Sequence, residues 1–216
     1  MKFKIDLHVH TKFSGDNDAD PEEMVMRAIS LGLDGIAFTE HYSYAASEYA
    51  EELKERFGAR IRIFRGTEFS ALEGHCLIFG VNSDALPSRA PAADVFEMVK
   101  RSGGAAIPSH PYRRGNSLGD LLWGMGTFCA LEGYNGCNMP AFNEKAVEAA
   151  KELGIPFTGG SDAHAPGEVG SCYTEFDDEV TDDNFIQLLR QGNYRGIDTR
   201  NHRTGGTALW LKLFGR

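Results

Sequence analysis

Short apolar segments alternate along the chain with longer segments whose apolar residues recur every three or four positions. The short segments are rich in β-branched and aromatic residues and predict strands at 3–9, 35–39, 61–67, 75–81, 104–108, 128–132, 155–159 and 171–176. The longer segments predict helices at 21–31, 46–57, 91–102, 141–153 and 182–191. Repeated β-then-α units of this kind typically form a mainly parallel sheet covered by helices.

Capping residues mark where several of these helices begin and end. Asp20 precedes Pro21, a pairing typical of a helix N-terminus, and Gly32, Gly154 and Gly192 follow the last apolar position of their helices. No linker, repeat or low-complexity tract interrupts the pattern, and the sequence has no glycine-rich turn of the dinucleotide-binding type. We therefore predict one α/β domain, built as a barrel rather than as an open sheet.

Composition narrows the classes of function. The 216 residues suit one domain, and 42% hydrophobic with 25% charged residues exclude a disordered chain. The net charge of −9 argues against stable binding to nucleic-acid phosphates. No apolar run approaches the roughly 18 residues of a membrane span, and the N-terminus lacks a signal-peptide pattern. We expect a soluble, cytoplasmic protein with no membrane partner. Four separate cysteines indicate reduced thiols: Cys76, Cys129, Cys137 and Cys172.

The last part of the chain differs from the rest. Residues 195–216 hold five basic residues against one acidic residue, and they include the apolar stretch ALWLKLF at 208–214. Such a basic, apolar tail fits three roles: covering one end of its own barrel, contacting a second subunit in a homo-oligomer, or binding a membrane or nucleic acid. We favour the first.

Histidines and acids collect at the carboxyl ends of the predicted strands, where the active sites of α/β barrels lie. His8 and His10 end the first strand, and residues two apart on a strand point to the same side. Asp162 and His164 repeat this spacing after a later strand. Each pair can therefore direct both of its side chains towards one metal ion.

Four more strands contribute such residues. His41 ends the second strand, Glu68 ends the third, His75 opens the fourth and His110 ends the fifth. Each is weak evidence alone, because His75 can be a buried, hydrogen-bonded histidine and His110 before Pro111 can be a turn residue. Six of the seven histidines at strand ends together predict a metal centre. Imidazole and carboxylate donors without thiolates suit Zn, Fe or Mn.

Six motifs resemble, in order and spacing, those of the polymerase and histidinol phosphatase (PHP) superfamily: DLHVHTKFSGD, AFTEH, GTEFSALEGHCLIFGV, PSHP, LEGYN and GGSDAH. The resemblance covers about residues 3–175. It implies a distorted, seven-stranded (βα)7 TIM-like barrel and a cofactor of two or three divalent metal ions. It also implies a stand-alone phosphoesterase, since the chain is short and acidic.

The resemblance also implies which residues hold the ions. The first ion takes His8, His10, Glu68 and Asp162, with Glu68 bridging to a second ion that His75 and His110 complete; the third takes Asp16, His41 and His164. Two departures affect the third site. Glu40 stands where the family more often has Asp, and either Asp16 or Asp18 is the carboxylate that reaches this ion.

The chemistry expected from these ligands is phosphoryl transfer. Two ions can clamp the attacking and leaving oxygens, so that metal-bound hydroxide, held by Glu68, Asp162 and His110, attacks the phosphorus. We favour a small phosphomonoester as substrate, either histidinol-phosphate-like or nucleotide-like. Arg113 and Arg114 are candidate phosphate contacts because a guanidinium binds phosphate with two hydrogen bonds, the alternative being a solvated surface pair.

The remaining candidates and functions stay open at this point. Asn135 and Glu132 are further candidates, which contact either the substrate or a metal-bound water, or else support other site residues. Asp6 is expected to support the first histidines. A phosphodiesterase or exonuclease is the nearest alternative function. A metal-dependent amidohydrolase also begins with an HxH pair, but no lysine lies at a predicted strand end. The last alternative is a metal-holding domain without catalysis.

Overall fold

A computed structural model describes residues 2–200 of the chain. The strands are β1 (Phe3–Val9), β2 (Gly35–Phe38), β3 (Arg62–Ser70), β4 (His75–Phe79), β5 (Ala105–Pro108), β6 (Leu131–Asn135), β7 (Phe157–Gly160), β8 (Cys172–Phe176) and β9 (Tyr194–Asp198). The helices are α1 (Pro21–Ser30), α2 (Ala50–Phe57), α3 (Ala92–Arg101), α4 (Pro140–Leu153) and α5 (Phe185–Gln191). No helix in this part of the chain is both long and apolar enough to cross a membrane.

The strands form a mixed rather than a mainly parallel sheet. The larger sheet has the order β5-β4-β3-β2-β1-β8-β9, and β6 and β7 form a separate parallel pair. Within the larger sheet β1, β2 and β3 are parallel neighbours, but β4 is antiparallel to β3 and β5, and β8 is antiparallel to β1 and β9. The expectation of a mainly parallel sheet is therefore wrong. The connection 71–74 between β3 and β4 is short enough only for a hairpin.

The larger sheet curls so that the segment after β7 lies against the end of β1. Val9 and Ala163 form a parallel bridge, and the Asp162 backbone N–H donates to the His8 carbonyl oxygen at 2.7 Å. On the other side, the N–H of Cys129, just before β6, donates to the carbonyl oxygen of Ala106 in β5. The chain thus has a mixed α/β fold with a curled, seven-stranded sheet, which is compatible with the expected barrel. Regular βα alternation is absent between β5 and β6 and between β7 and β8, where no α-helix intervenes.

A bulge in β1 sets the direction of its histidines. The register with β2 shifts between Asp6 and Val9. Leu7 packs in the cluster that contains Ile107, whereas Val9, two residues later, packs with the helix residues of α1. A strand with strict alternation would place Leu7 and Val9 on one face. The extra residue in the bulge shifts the alternation, so that Val9 lies on the opposite face from Leu7. His8 then lies above Leu7 on the inner face.

Most predicted elements are confirmed, with differences at their ends. The Asp20 side chain accepts the Glu22 N–H, so α1 begins as expected, and Gly154 ends α4 with a left-handed φ of 67°. However, β6 begins three residues later than predicted, and a short 3-10 turn at Ala45–Ser47 replaces the first turn of the second helix. Both differences lie in segments where glycine or small residues weaken the periodic pattern.

The first residues of the expected basic tail belong to the fold. Strand β9, at the edge of the larger sheet, was not predicted, because Arg195 and Gly196 break the apolar alternation. After it, the Arg200 guanidinium donates to the carbonyl oxygens of Gly136 and Asn138 at 2.6 and 2.7 Å. The expected covering of a barrel end by the apolar stretch concerns 201–216, which lie outside the described residues.

Candidate metal centre

The nine predicted ligands lie at one edge of the curled sheet. They come from the ends of β1, β2, β3, β5 and β7 and from the start of β4, which runs in the opposite direction: His8, His10, Asp16, His41, Glu68, His75, His110, Asp162 and His164. The inner faces of β1, β3 and β4 are apolar below this edge. The site is thus a polar layer above the apolar interior of the fold.

The innermost group consists of His8, His10, Glu68 and Asp162, which are all buried and whose ligand atoms lie within 4.8 Å of one another. The Nε2 atoms of His8 and His10 are 3.0 Å apart. Asp162 Oδ1 lies 3.5 and 3.3 Å from these two nitrogens, and Glu68 approaches each of them at 3.5 Å. Four potential ligand atoms therefore surround one small volume.

Hydrogen bonds on the far side of each imidazole fix its orientation. His8 Nδ1 lies 2.7 Å from a Glu132 carboxylate oxygen, which can only accept. His10 Nδ1 lies 3.0 Å from the Ser14 hydroxyl, whose own hydrogen goes to Glu40. Both rings therefore carry hydrogen on Nδ1 and, when neutral, present the Nε2 lone pair to the centre. This arrangement is typical of metal-binding histidines.

Glu68 connects the innermost group to a second group formed with His41 and His75. Its Oε1 lies 2.8 Å from His110 Nε2 and 3.2 Å from His75 Nδ1, and its Oε2 lies 3.0 Å from His41 Nδ1. The last two contacts do not have hydrogen-bond geometry, and within residues 2–200 Glu68 Oε2, His41 Nδ1 and His75 Nδ1 are buried without a hydrogen-bond partner. Buried polar atoms without partners are uncommon. These converging ones fit a divalent cation, which would satisfy all three.

The third group is more open to solvent. His10, His41 and His164 place ligand atoms within 4.8 Å of one another. Asp16 Oδ2 lies 3.0 Å from His41 Nε2 and 3.2 Å from His164 Nε2. Asp18 has no hydrogen bond or ion pair with any residue in 2–200. Of the two carboxylates left open by the sequence, the structure brings Asp16 to this group.

Two of the predicted ligands have unusual backbone conformations. His110 has a φ of 31° and Asp162 a φ of 54°, in the left-handed region that residues other than glycine rarely adopt. Such conformations persist where the surrounding structure holds them and are frequent at functional sites. Here they lie next to the ends of β5 and β7.

The charges of the centre depend on each other. Burial alone would raise the pKa of Glu68, but His8 and the contacts with His110 and His41 outweigh it and hold that pKa well below 4.5. Burial also favours neutral His8, yet Glu132, Asp162 and Glu68 raise the pKa of His8 well above 6.5. Burial lowers the pKa of His10 to about 4. Despite burial, the contacts with His8 and His10 also lower the pKa of Asp162, so both carboxylates stay ionised and attract positive charge, for which a metal ion competes with protons.

Several residues support the ligands rather than face the open side. The Glu132 carboxylate also accepts the His110 N–H at 2.7 Å. Asn135 is fully buried, and its amide donates to Glu132 at 3.0 Å and to Asp162 at 3.2 Å. With both of these bonds made, we expect Asn135 to position Asp162, and its contact with substrate stays a prediction.

Asp6 supports the centre through the loop after β7. Its carboxylate accepts the N–H groups of Ser161 and Gly170 at 2.9 and 2.8 Å, and that of His8 at 3.3 Å. Burial raises the pKa of Asp6 to about 6.

Ser14 is a site residue that the sequence did not indicate. It accepts a hydrogen bond from His10 and donates one to Glu40. A serine four residues after a histidine has no distinctive pattern.

The two candidate phosphate contacts have different surroundings. Arg113 reaches into the centre: one of its nitrogens lies 2.7 Å from Asp162 Oδ2, and another lies 2.7 Å from His110 Nε2. Arg114 is exposed and has no hydrogen bond or ion pair within residues 2–200.

A cleft of about 790 Å³ adjoins the centre at His75 and is also lined by Tyr42 and Leu72.

Comparison with known proteins gives two family matches. Residues 6–102 match the PHP domain, and residues 140–194 match the PHP-associated family. An uncharacterized protein of Methanocaldococcus jannaschii is 30% identical over 131 residues, which are 56% of this chain and 75% of that protein. A histidinol-phosphatase of Lactococcus lactis is 36% identical over 77 residues, which are 30% of this chain and 29% of the enzyme.

Among solved structures, one similar fold is a two-domain protein of Bacteroides vulgatus that contains a predicted PHP-like metal-dependent phosphoesterase. It superposes with a TM-score of 0.71 at 20% identity, over 92% of this chain and 65% of that protein. At this level of identity the similarity concerns the fold. The agreement covers the curled sheet whose edge carries the histidines and acids described above.

Proposed function

The chain belongs to the PHP domain family, and on this premise we propose that it is a metal-dependent phosphoesterase that hydrolyses a small phosphomonoester. The observation that carries the proposal is the set of converging, unpartnered ligand atoms on Glu68, His41 and His75. They adjoin the buried group of His8, His10, Glu68 and Asp162.

Divalent ions bound there would supply positive charge to the phosphoryl oxygens and lower the pKa of a coordinated water. The residues proposed to hold them are His8, His10, Glu68 and Asp162, then His75 and His110, and finally Asp16, His41 and His164. Zn, Mn and Fe suit these imidazole and carboxylate donors. Glu68, Asp162 and His110 are proposed to surround the attacking water, because Glu68 belongs to both inner groups and the proposed phosphate contact Arg113 touches Asp162 and His110.

Hydrogen bonds hold the ring hydrogens of two proposed ligands on the nitrogen that points away from the centre. Glu132 and Ser14 accept the Nδ1 hydrogens of His8 and His10, so that both Nε2 atoms face inward. Imidazoles with a fixed orientation need no rotation when they bind an ion, and His8 has only to release its second ring proton. Burial of Glu68 and Asp162 excludes water from their carboxylates, which strengthens their attraction for a cation.

Arg113 is the proposed phosphate contact. Its guanidinium already lies at hydrogen-bond distance from Asp162 and His110, and it can donate two parallel hydrogen bonds to a phosphate. Arg114 has no comparable position, since it is exposed away from these ligands. We therefore assign the phosphate role to Arg113 and leave Arg114 at the surface.

The organic part of the substrate is proposed to occupy the cleft next to His75. Its volume of about 790 Å³ is within the range typical of small-molecule sites. A histidinol-phosphate-like or nucleotide-like phosphomonoester would fit this volume. The local similarity to a histidinol-phosphatase supports a phosphomonoester rather than a phosphodiester.

The test compares an aryl phosphomonoester with the matching phosphodiester. The protein is stripped with a chelator and reloaded separately with Mn, Fe or Zn before each assay. We expect hydrolysis of the monoester only after reloading. Hydrolysis of the diester alone would identify a phosphodiesterase, and no hydrolysis of either ester with any metal would contradict the proposal.

A further inference from the structure

A second cluster of ligand atoms lies at the rim of the metal centre. Cys137, His164 and Glu168 place a sulfur, a ring nitrogen and a carboxylate oxygen within 4.8 Å of one another. Cys137 lies in the β6–α4 connection, and the other two residues lie in the β7–β8 connection. Cys137 and Glu168 are exposed, so this cluster is accessible from solvent.

Two of these side chains point at the same atom. Cys137 Sγ lies 3.1 Å and His164 Nδ1 lies 2.8 Å from the Asp162 carbonyl oxygen, to which both donate hydrogen. The Glu168 carboxylate lies beside them and accepts the His164 backbone N–H at 2.8 Å. A cation in place of the two hydrogens would meet sulfur, nitrogen and oxygen donors, with solvent on its open side.

We propose that Cys137, His164 and Glu168 form a binding site for a thiophilic divalent ion such as Zn²⁺ or Cd²⁺, and that filling this rim site inhibits the enzyme. Zinc is commonly bound by Cys, His and carboxylate ligands, and a thiolate selects it over harder ions such as Mg²⁺ or Mn²⁺. The predicted catalytic ligands include no thiolate. The rim site therefore differs from the centre in the metals it prefers.

Cys137 is the thiol best suited to this role. Cys76 and Cys172 are buried, and Cys129 is half-buried beside β5. The Cys137 thiol donates its hydrogen to the Asp162 carbonyl oxygen, so it is protonated without an ion. Binding therefore releases one proton to solvent, while His164 keeps one ring hydrogen and moves it from Nδ1 to Nε2.

This shift of hydrogen couples the rim site to the centre. A neutral imidazole has one lone pair, so an ion at His164 Nδ1 leaves a hydrogen on Nε2. That nitrogen lies 3.2 Å from Asp16 Oδ2 and would donate to it. His164 is then lost to the ion proposed to lie between Asp16 and His41. The two ions exclude each other, and this coupling rests on the proposed function, whereas the rim site itself does not.

The binding test uses the full chain saturated with Mn²⁺ and titrated with Cd²⁺. Binding is recorded by the ultraviolet sulfur-to-cadmium charge-transfer band and by protection of the exposed thiol from an aromatic disulfide reagent. We expect the band in the wild type and in the matched control Cys129→Ser, and its loss in Cys137→Ser. A band that survives in Cys137→Ser, or no band in the wild type, would overturn the site.

The coupling is read on the same samples from the electron paramagnetic resonance signal of free Mn²⁺. At the Cd²⁺ concentration that saturates the band, we expect the wild type to release Mn²⁺ and Cys137→Ser to retain it. Equal release from both proteins would overturn the coupling.

Inhibition of aryl phosphate hydrolysis should be several-fold in the wild type and absent in Cys137→Ser, whose uninhibited activity should equal that of the wild type. An enzyme inactive with every metal would refute the proposed function, while the band would still decide the rim site.

Discussion

The inner part of the centre, around Glu68 and Asp162, and its outer part, around Asp16 and His164, differ in their exposure to water. In the inner part the Glu68 and Asp162 side chains are 0% and 2% exposed, and imidazoles held by Glu132 and Ser14 surround them. In the outer part Asp16 is 42% exposed and His164 is 32% exposed. Buried charges interact more strongly because water screens them less. We therefore expect the inner ions to be held tightly and the outer ion to exchange.

The largest effect should come from the inner part. Asp162→Asn keeps the left-handed backbone, which asparagine tolerates, but removes the carboxylate shared by His8 and His10. We expect kcat to fall by at least about 100-fold with little change in thermal unfolding, since loss of even a supporting residue costs about 10–100-fold. Unchanged kcat would remove Asp162 from the mechanism.

The next effect tests the support behind the inner histidines. Glu132→Gln removes the charged acceptor of the His8 Nδ1 hydrogen. We expect the inner ions to bind about 10–100-fold more weakly in competition with a chromophoric chelator. Glu175→Gln is the matched control, because Glu175 pairs with Arg195 away from the centre. Equal affinity of the Glu132 variant and the control would show that Glu132 does not support the centre.

The adjacent arginines provide a matched pair. Arg113→Ala removes a guanidinium that contacts Asp162 and His110, whereas Arg114→Ala removes an exposed one. A hydrogen bond to a charged group contributes about 1.5–3 kcal/mol, so KM for a phosphomonoester should rise about tenfold or more in Arg113→Ala. Steady-state kinetics of Arg114→Ala should match the wild type. If both variants had the KM and kcat of the wild type, neither arginine would contact the phosphate.

The smallest effect should come from the outer part. Asp16→Ala removes the carboxylate between His41 and His164, and Asp18→Ala removes a neighbouring exposed carboxylate without such contacts. Asp16→Ala should hold one ion fewer per chain by elemental analysis and lose several-fold in activity. Asp18→Ala should keep the metal content of the wild type. A loss of activity in Asp16→Ala as large as that in Asp162→Asn would contradict the expected difference between the inner and outer parts.

The sequence predicted that the residues of the inner part lie close together, because the signals for their placement are local. The two-residue spacing of His8 and His10 depends only on strand geometry, and the acids at strand ends follow from the position of active sites in α/β folds. The structure brings all nine predicted ligands to one edge of the sheet. The match to the PHP domain confirms the resemblance read from the motifs.

Other features depend on contacts that are distant in sequence. The bulge before Val9 arises from pairing with β2, and no local pattern in β1 indicates it. The antiparallel pairing of β8 with β1 joins segments about 170 residues apart, for which periodicity gives no orientation. The bond from the Asn135 amide to Asp162 is of the same kind. Tertiary packing decides such features, so a single sequence predicts their presence poorly.

The most direct test of the account follows metal content and phosphate release on the same samples while a chelator removes the ions. We predict two stages: loss of the first ion lowers hydrolysis of an aryl phosphomonoester several-fold, and loss of the remaining ions abolishes it. Mn²⁺ should restore activity in the wild type but not in Asp162→Asn. Phosphate release that continues after the metal content has reached zero would contradict the account.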